Sequence, residues 1–362
     1  MADPAPLPEP DRVEGAPHPR ETMALFGHEG AEASFLDAAR SGRLHHGWLI
    51  TGPRGVGKAT LAWRMARYLL AGTPTMDVSE GHPVSHRIAA LSEPRLFLLR
   101  RGANATGSAL SADIRVDEVR KLKSYLSLSA ADGGRRVVIV DSADEMATAA
   151  ANAILKLLEE PPANVILILI SHQPSKLLPT IRSRCRELRL GTLEAGPMRD
   201  ALTQAGAMVD DPVPLAELGG GSVGEAVRLL NLDGLALYRD LIATLSTIPR
   251  LDRSRALALA EQGAGRGAEP RFDLIVGLID RFLARLARAG TLSLIPPEAA
   301  KGEADLIARL SPDRHAALKW AELAQNLGLR ARQGKAVNLD PAALLLDMIL
   351  RIDETAAQLA PR

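Results

Sequence analysis

The chain has 362 residues, of which 46% are hydrophobic, 24% charged and only 3% aromatic, and its formal net charge is +1. That size suits two or three domains of ordinary globular composition, and the near-zero charge excludes a global field that would draw the chain to nucleic acid, leaving only a local basic face. The single cysteine, Cys185, excludes an internal disulfide framework and fits a reducing cytosol, and no apolar run reaches the roughly 18 residues that a membrane span needs.

Met1 to Arg20 carries six prolines and several acids, with neither a basic start nor an apolar core. It reads as a disordered leader over residues 1–21, not as a signal peptide. Ala31 to Ser41 has the pattern of a short helix. Trp48 to Ile50 reads as a strand and is followed by Gly52-Pro53-Arg54-Gly55-Val56-Gly57-Lys58, which fits G-x-x-x-x-G-K. Glycines at these positions let the backbone curl until its N–H groups converge, the next helix adds its positive dipole end, and Lys58 supplies a point charge for terminal phosphates. The next position calls for a Ser or Thr hydroxyl on Mg²⁺, but it is Ala59. Thr60 is a poor substitute, because one helical step turns a side chain by about 100°. The pattern predicts nucleotide contacts from Gly52, Pro53, Gly55, Val56, Gly57, Lys58, Ala59 and Thr60, without fast hydrolysis.

A helix is predicted from Lys58 to Leu70, with Ala62, Met65, Ala66 and Leu69 on one face. Ala71 to Glu93 reads as irregular. Leu96 to Leu99 is a short strand and Ile114 to Leu126 a helix. Val137 to Val140 is a β-branched run suited to a strand buried on both faces, and it ends at Asp141. Such an acid either starts a turn or sits on the Mg²⁺ side of a nucleotide site. The residue after it is commonly a water-polarising Glu in active ATPases, and here it is Ser142. A helix from Thr148 to Glu160 is stopped by Pro161-Pro162, and Val165 to Ile170 is another buried strand. Strands alternating with helices predict an α/β domain with a mostly parallel sheet.

Thr180 to Arg186 holds three arginines, Arg182, Arg184 and Arg186. They fit either a solvated basic edge or an arginine finger reaching a neighbour's γ-phosphate. Beyond Leu190 the pattern becomes all-α. Met198 to Gln204, Val213 to Leu218 and Val223 to Leu230 read as short helices, the last with Ser222 as its N-cap. Longer amphipathic helices follow, clearest at Phe272 to Ala289, Pro312 to Leu327 and Pro341 to Ile352. The last has Asp340 as N-cap and Pro341 at its first position.

The blocks Phe26-Gly27-His28-Glu29, Gly52 to Lys58, Val140-Asp141, Asn152-Ala153-Ile154-Leu155-Lys156-Leu157-Leu158-Glu159-Glu160-Pro161-Pro162 and Ser183-Arg184-Cys185 occur in one order that resembles bacterial clamp-loader AAA+ subunits. Asn338-Leu339-Asp340-Pro341 is similar to the start of that family's last collar helix. The resemblance implies a P-loop AAA+ parallel-sheet domain over 22–190, a small helical lid domain over 191–245 and a helical collar domain over 246–362. It implies a subunit of the clamp-loader complex of DNA polymerase III, with motor gamma/tau-like and delta-like partners. Through that complex it would reach the sliding clamp and primer–template DNA in the cytoplasm, with no membrane. The resemblance implies a five-membered ring of subunits, in which the chain would be a rigid end piece.

Position by position, the resemblance makes Asp141 the Mg²⁺-side acid and Arg184 the finger aimed at an adjacent motor subunit. Ser171 and His172 end the strand that carries a polar sensor in active relatives. Gly224 stands where those relatives place a phosphate-sensing Arg. Ala59, Ser142 and Gly224 thus depart in one direction, towards a weak or silent site that still has the loop and Lys58 for ATP. Many relatives carry a four-cysteine zinc module after the first helix. Gly72 to Pro94 here has no cysteine, and His82 and His86 lack the ligands to complete a tetrahedral site, so no metal site is expected. Two other readings remain: an autonomous AAA+ ATPase motor, and an unrelated P-loop enzyme that phosphorylates a small molecule. No carboxylate set for two-metal nucleotidyl transfer is evident, so a polymerase activity would belong to the holoenzyme.

Overall fold

A computed structural model describes residues 9, 12–104, 106–127, 134–265 and 267–360. They fall into two compact units. The first holds the chain up to Val209 together with Ser222–Gly224, and the second holds Asp210–Gly221 and the chain from Glu225 onward.

In chain order the first unit contains α1 (Glu29–Arg40), β1 (Gly47–Thr51), α2 (Lys58–Ala71), α3 (Pro83–Ala89), β2 (Leu96–Arg100), α4 (Val116–Ser127), β3 (Arg136–Asp141), α5 (Thr148–Glu159), β4 (Val165–Ser171), α6 (Pro179–Arg182), β5 (Arg186–Arg189) and α7 (Ala195–Gln204). The strands form one sheet in the order β2-β3-β4-β1-β5, with every pairing parallel. β1 and β4 are buried along their whole length, as apolar strands covered by helices on both faces must be. Leu49, Val138, Val140, Leu167 and Leu169 meet Val119 and Leu122 of α4 and Ala150 and Ile154 of α5 in a single apolar cluster. The expected α/β fold with a parallel sheet is therefore present.

Pairing register carries the strand ends to a common edge. Thr51 pairs with Ser171, and Arg100 pairs with Asp141. α2 begins directly after the glycine loop and ends at Gly72 in the left-handed region, where the Gly72 N–H closes on the Tyr68 carbonyl.

Three local differences from the sequence expectation have physical causes. Ala71 to Glu93 is not wholly irregular, since His82 caps α3 by accepting the Val84 N–H on its Nδ1 at 3.1 Å. β5 has no apolar run, because as an edge strand of sequence Arg-Glu-Leu-Arg it buries only Leu188. The expected disordered leader lies partly outside the described residues, at 1–8, 10 and 11; of its described part, Arg12 to Gly15 and Pro17 are exposed, but His18 and the Glu9 and Arg20 side chains are held. His18 is 1% exposed, and the Glu9 carboxylate meets Arg20 at 2.6 Å and Arg100 at 3.3 Å. Proline-rich composition misleads here because these anchors come from distant residues.

The unit continues past Leu190 to Val209 because α7 is tied back to the N-terminal segment. Gln204 Oε1 accepts the Ala24 N–H at 2.8 Å, and its Nε2 donates to the Ala24 carbonyl at 3.0 Å.

The second unit is helical: α8 (Val213–Gly219), α9 (Val223–Asn231, whose first two residues belong to the first unit), α10 (Gly234–Leu245), α11 (Arg253–Glu261), α12 (Glu269–Leu292), α13 (Glu303–Leu310), α14 (Arg314–Ala336) and α15 (Pro341–Leu359). α12 and α14, each over 20 residues, pack along one another and exceed their expected lengths. Asp340 accepts the Ala343 N–H at 3.0 Å, which is the expected cap of α15. A buried knot of charge also ties the unit together. The Glu303 carboxylate accepts from Tyr238 and from Arg285 Nε, both at 2.6 Å, while Arg285 also meets Glu217 at 2.6 Å. No helix among the described residues is long and apolar enough to cross a membrane.

Candidate functional site

The glycine loop leaves β1 at the sheet's C-terminal edge. Gly52, Gly55 and Gly57 have φ of +141°, +72° and +106°, a region that L side chains rarely adopt. Each glycine also admits a neighbour that a Cβ would strike. That atom would lie 2.3 Å from the Leu190 carbonyl at Gly52, 2.2 Å from Ser222 Oγ at Gly55 and 2.7 Å from Leu25 Cδ1 at Gly57. His28 Nε2 donates to the Val56 carbonyl at 2.8 Å, and Gly224 donates its N–H to the Gly55 carbonyl at 3.2 Å. Pro53 and Arg54 face outward, whereas Ala59 and Thr60 at the start of α2 are half-buried.

Lys58 does not reach out over the loop. It is 3% exposed, and its ammonium donates to the carbonyls of Gly52, at 2.7 Å, and Pro53. Burial pushes its pKa down to about 8, against the opposing pull of Asp141 and Asp144. Asp141 and Ser142 are buried at the tip of β3. Asp144 accepts the His172 N–H at 2.9 Å, and Arg54 reaches Glu145 at 2.8 Å. The His172 imidazole is driven down to about 4, first by burial and then by the charges of Lys58 and Arg54. Ser171 Oγ and His172 Nδ1 have no hydrogen-bond partner among the described residues.

The structure thus gathers Gly52 to Thr60, Asp141, Ser171 and His172 at one edge, the arrangement of a nucleotide site. It does not fit a Mg²⁺-nucleotide as arranged. Two of the three lysine donors are turned onto its own loop, Ala59 offers no hydroxyl, Ser142 offers no carboxylate, and Gly224 offers no side chain. A Cβ there would sit 3.2 Å from Gly55 Cα. No cluster of metal-ligating side chains occurs among the described residues.

Arg184 lies at the other end of the same strands. A Cβ on Gly47, the first residue of β1, would come 3.1 Å from the Arg184 carbonyl. Five strand residues, roughly 13–16 Å, then separate it from the glycine loop. Its side chain is 38% exposed, donates to the Thr180 carbonyl at 3.1 Å and meets Glu159 at 3.0 Å. Arg186 instead lies over the Trp48 ring at 5.2 Å, Arg182 is exposed, and burial pushes the Cys185 thiol up to about 12, which keeps it unreactive. Arg184 cannot serve its own loop.

Leu25, His28 and Asp144 complete the loop's surroundings and carried no role in the sequence reading. Phe26-Gly27-His28-Glu29 was visible as a motif, but its seat against Val56 depends on a return of the chain that spacing does not show.

A glycine loop and lysine between β1 and α2, on a sheet of order β2-β3-β4-β1-β5, define a P-loop domain of the AAA+ class. The family model described as DNA polymerase III, delta subunit, matches residues 27–194. The chain is 39% identical to DNA polymerase III subunit delta' of Pseudomonas aeruginosa over 51% of this chain and 55% of that protein. It is 30% identical to the Escherichia coli subunit delta' over 87% of this chain and 90% of that protein. It is also 29% identical to the gamma/tau subunit of Mycobacterium bovis, over 79% of this chain and 52% of that protein. The chain belongs to the DNA polymerase III delta-prime family of clamp-loader subunits. It spans about half the length of several of the relatives it matches.

Proposed function

We propose that the chain acts as a delta-prime-like subunit of the DNA polymerase III clamp loader, helping the ATP-dependent loading of a sliding clamp during DNA replication in the cytoplasm. It does so as a weak or silent ATPase that donates Arg184 to a neighbouring motor subunit. The observation that carries this reading is the contrast within one sheet: the chain's own loop is closed over Lys58, while Arg184 stands half-free at the opposite edge. A finger can work in trans, where its planar guanidinium meets charge developing on a partner's γ-phosphate.

In this role residues 22–190 are the AAA+ core, 191–245 the lid and 246–362 the collar that joins gamma/tau-like and delta-like subunits. Clamp and primer–template DNA are met through the complex, and DNA through its backbone phosphates. Arg184 is the residue acting on ATP. Gly52, Pro53, Gly55, Val56, Gly57, Lys58, Ala59, Thr60 and Asp141 are what remains of a nucleotide site. An autonomous motor is disfavoured by Ala59, Ser142 and Gly224.

Reconstitution with gamma/tau-like and delta-like partners, a clamp and primed DNA tests the role. A stable complex that loads clamps only when this chain is present is the expected result. Exclusion of the chain from the complex would end the proposal.

A further inference from the structure

Within the second unit a groove runs between α9 and α12. Glu225, Arg228 and Leu229 line it from one helix, and Leu274, Gly277, Leu278 and Arg281 from the other, each set at the i, i+3, i+4 spacing of a single helix face. Leu229, Leu274 and Leu278 are buried and make an apolar floor. The opening measures about 360 Å³. That is the small end of ligand pockets, roughly 300–1,000 Å³, and suits a few side chains.

Two glycines of α12 differ in what requires them. A Cβ on Gly290 would strike Ser311 Oγ at 2.5 Å and the Asp313 carbonyl at 2.6 Å, so packing demands that glycine. A Cβ on Gly277 would meet nothing within 4 Å among the described residues, and Gly277 has no positive φ. Glycine inside a helix is destabilising relative to alanine, so nothing within the chain accounts for Gly277. A group from outside that lies close on the helix backbone does account for it.

The charges above the floor are unevenly matched. Glu225 meets Arg228 Nη1 at 3.4 Å and Arg281 Nη2 at 3.7 Å, both longer than the roughly 2.7–2.9 Å of a strong charge-assisted bond. Among the described residues no other carboxylate comes within ion-pair distance of either guanidinium, and the two side chains are 37% and 33% exposed. Burial pushes the Arg281 pKa below its ordinary value, Glu225 opposes the shift, and Arg228 deepens it. Asp280 also borders the groove, but its carboxylate lies against α14: a Cβ on Gly328 would come 3.6 Å from its Oδ2, and Arg332 is the charge that favours its ionised form.

We propose that this groove docks a peptide segment of a partner protein in which an Asp or Glu stands beside a large apolar residue. The carboxylate bonds Arg228 and Arg281, whose planar guanidiniums suit it, and the apolar side chain lies on Gly277 over the leucine floor. A nucleic-acid backbone would leave the floor unused, and a purely apolar segment would leave two guanidiniums on one shared acid. The groove has no residue in common with the phosphate loop or with Arg184.

Selection of a random-peptide phage library on the full-length chain tests the groove. Enriched peptides are synthesised and titrated by fluorescence anisotropy against wild type, Gly277→Leu and the double variant Arg228→Gln, Arg281→Gln, each first melted by far-UV circular dichroism. Gly277→Leu should melt at or above wild type, because its new side chain enters open space in a helix. The enriched peptides should carry an acid next to Leu, Ile, Met or Phe, and should bind each variant about tenfold or more weakly. Equal binding to all three proteins, or no enrichment, would overturn the groove as a docking site. Enriched peptides that Gly277→Leu rejects but that carry Lys or Arg in place of the acid would overturn the acidic occupant. If Gly277→Leu is unfolded, the arginine variant decides by the same titration.

Discussion

The two ends of β1 face opposite problems. At its C-terminal end the chain closes on itself: Lys58 is 3% exposed and two of its donors go to Gly52 and Pro53. At its N-terminal end the Arg184 side chain is 38% exposed and, among the described residues, meets Thr180 and Glu159. A buried charge that satisfies itself costs desolvation and does not engage a ligand, whereas an exposed guanidinium with exchangeable partners is free to act on another subunit. In the proposed function, losing the use of ATP and acting on a partner's ATP are therefore separable within one domain.

The largest expected effect lies at the arginine end. In a reconstituted complex Arg184→Ala should lower DNA-stimulated ATP turnover by roughly 10³-fold or more, the range of arginine fingers, and Arg184→Lys should recover little because it lacks the planar fork. Full activity of the lysine variant would show that only charge matters.

Glycine substitutions compare the two ends by stability. Gly52→Ala combines a φ of +141° with a backbone carbonyl 2.3 Å from the new Cβ, and should cost more than about 3 kcal/mol in urea denaturation. Gly47→Ala meets the movable Leu158 Cδ2 at 2.8 Å as well as the Arg184 carbonyl, and should cost about 1–2 kcal/mol. Equal losses would mean that the loop end is no tighter than the other.

Lys58 should show its burial through pH. Because its folded pKa is lowered to about 8 from 10.5, it is charged in both states below pH 8 and the full penalty, on the order of 3 kcal/mol, is present there. Between about pH 8 and 10.5 the unfolded chain binds more protons, so wild type should gain stability relative to Lys58→Met as pH rises through that window. Parallel stability curves for the two proteins would contradict the buried ammonium.

The smallest effect is acidic. His172, lowered to about 4, is neutral in the fold while the unfolded chain takes up its proton near pH 6.5. Stability should fall by about 1–2 kcal/mol from pH 7 to 5, and less in His172→Gln, as read from thermal melts.

Much of this comparison was legible in the sequence. Gly52 to Lys58, the buried runs Val137–Val140 and Val165–Ile170, and Pro161-Pro162 fixed the loop, two strands and a helix stop within a residue or two, since each follows from local backbone chemistry. Ala59, Ser142 and Gly224 signalled a departure from an active site without revealing its form. The inward turn of Lys58 and the seating of Gly224 on Gly55 depend on packing between segments far apart in the chain. β5 stayed hidden because an edge strand with a single buried residue lacks an apolar pattern. The order of Glu9, His18 and Arg20 stayed hidden because composition does not show that Arg67 and Arg100 receive them.

The most direct measurement compares Lys58→Ala with Arg184→Ala in the same reconstituted clamp loader, reading DNA-stimulated ATP turnover with assembly checked by sedimentation. The expected result is near wild-type turnover for Lys58→Ala and collapse for Arg184→Ala in an intact complex. Collapse with Lys58→Ala and normal turnover with Arg184→Ala would contradict the account, making this chain a motor with its own working site.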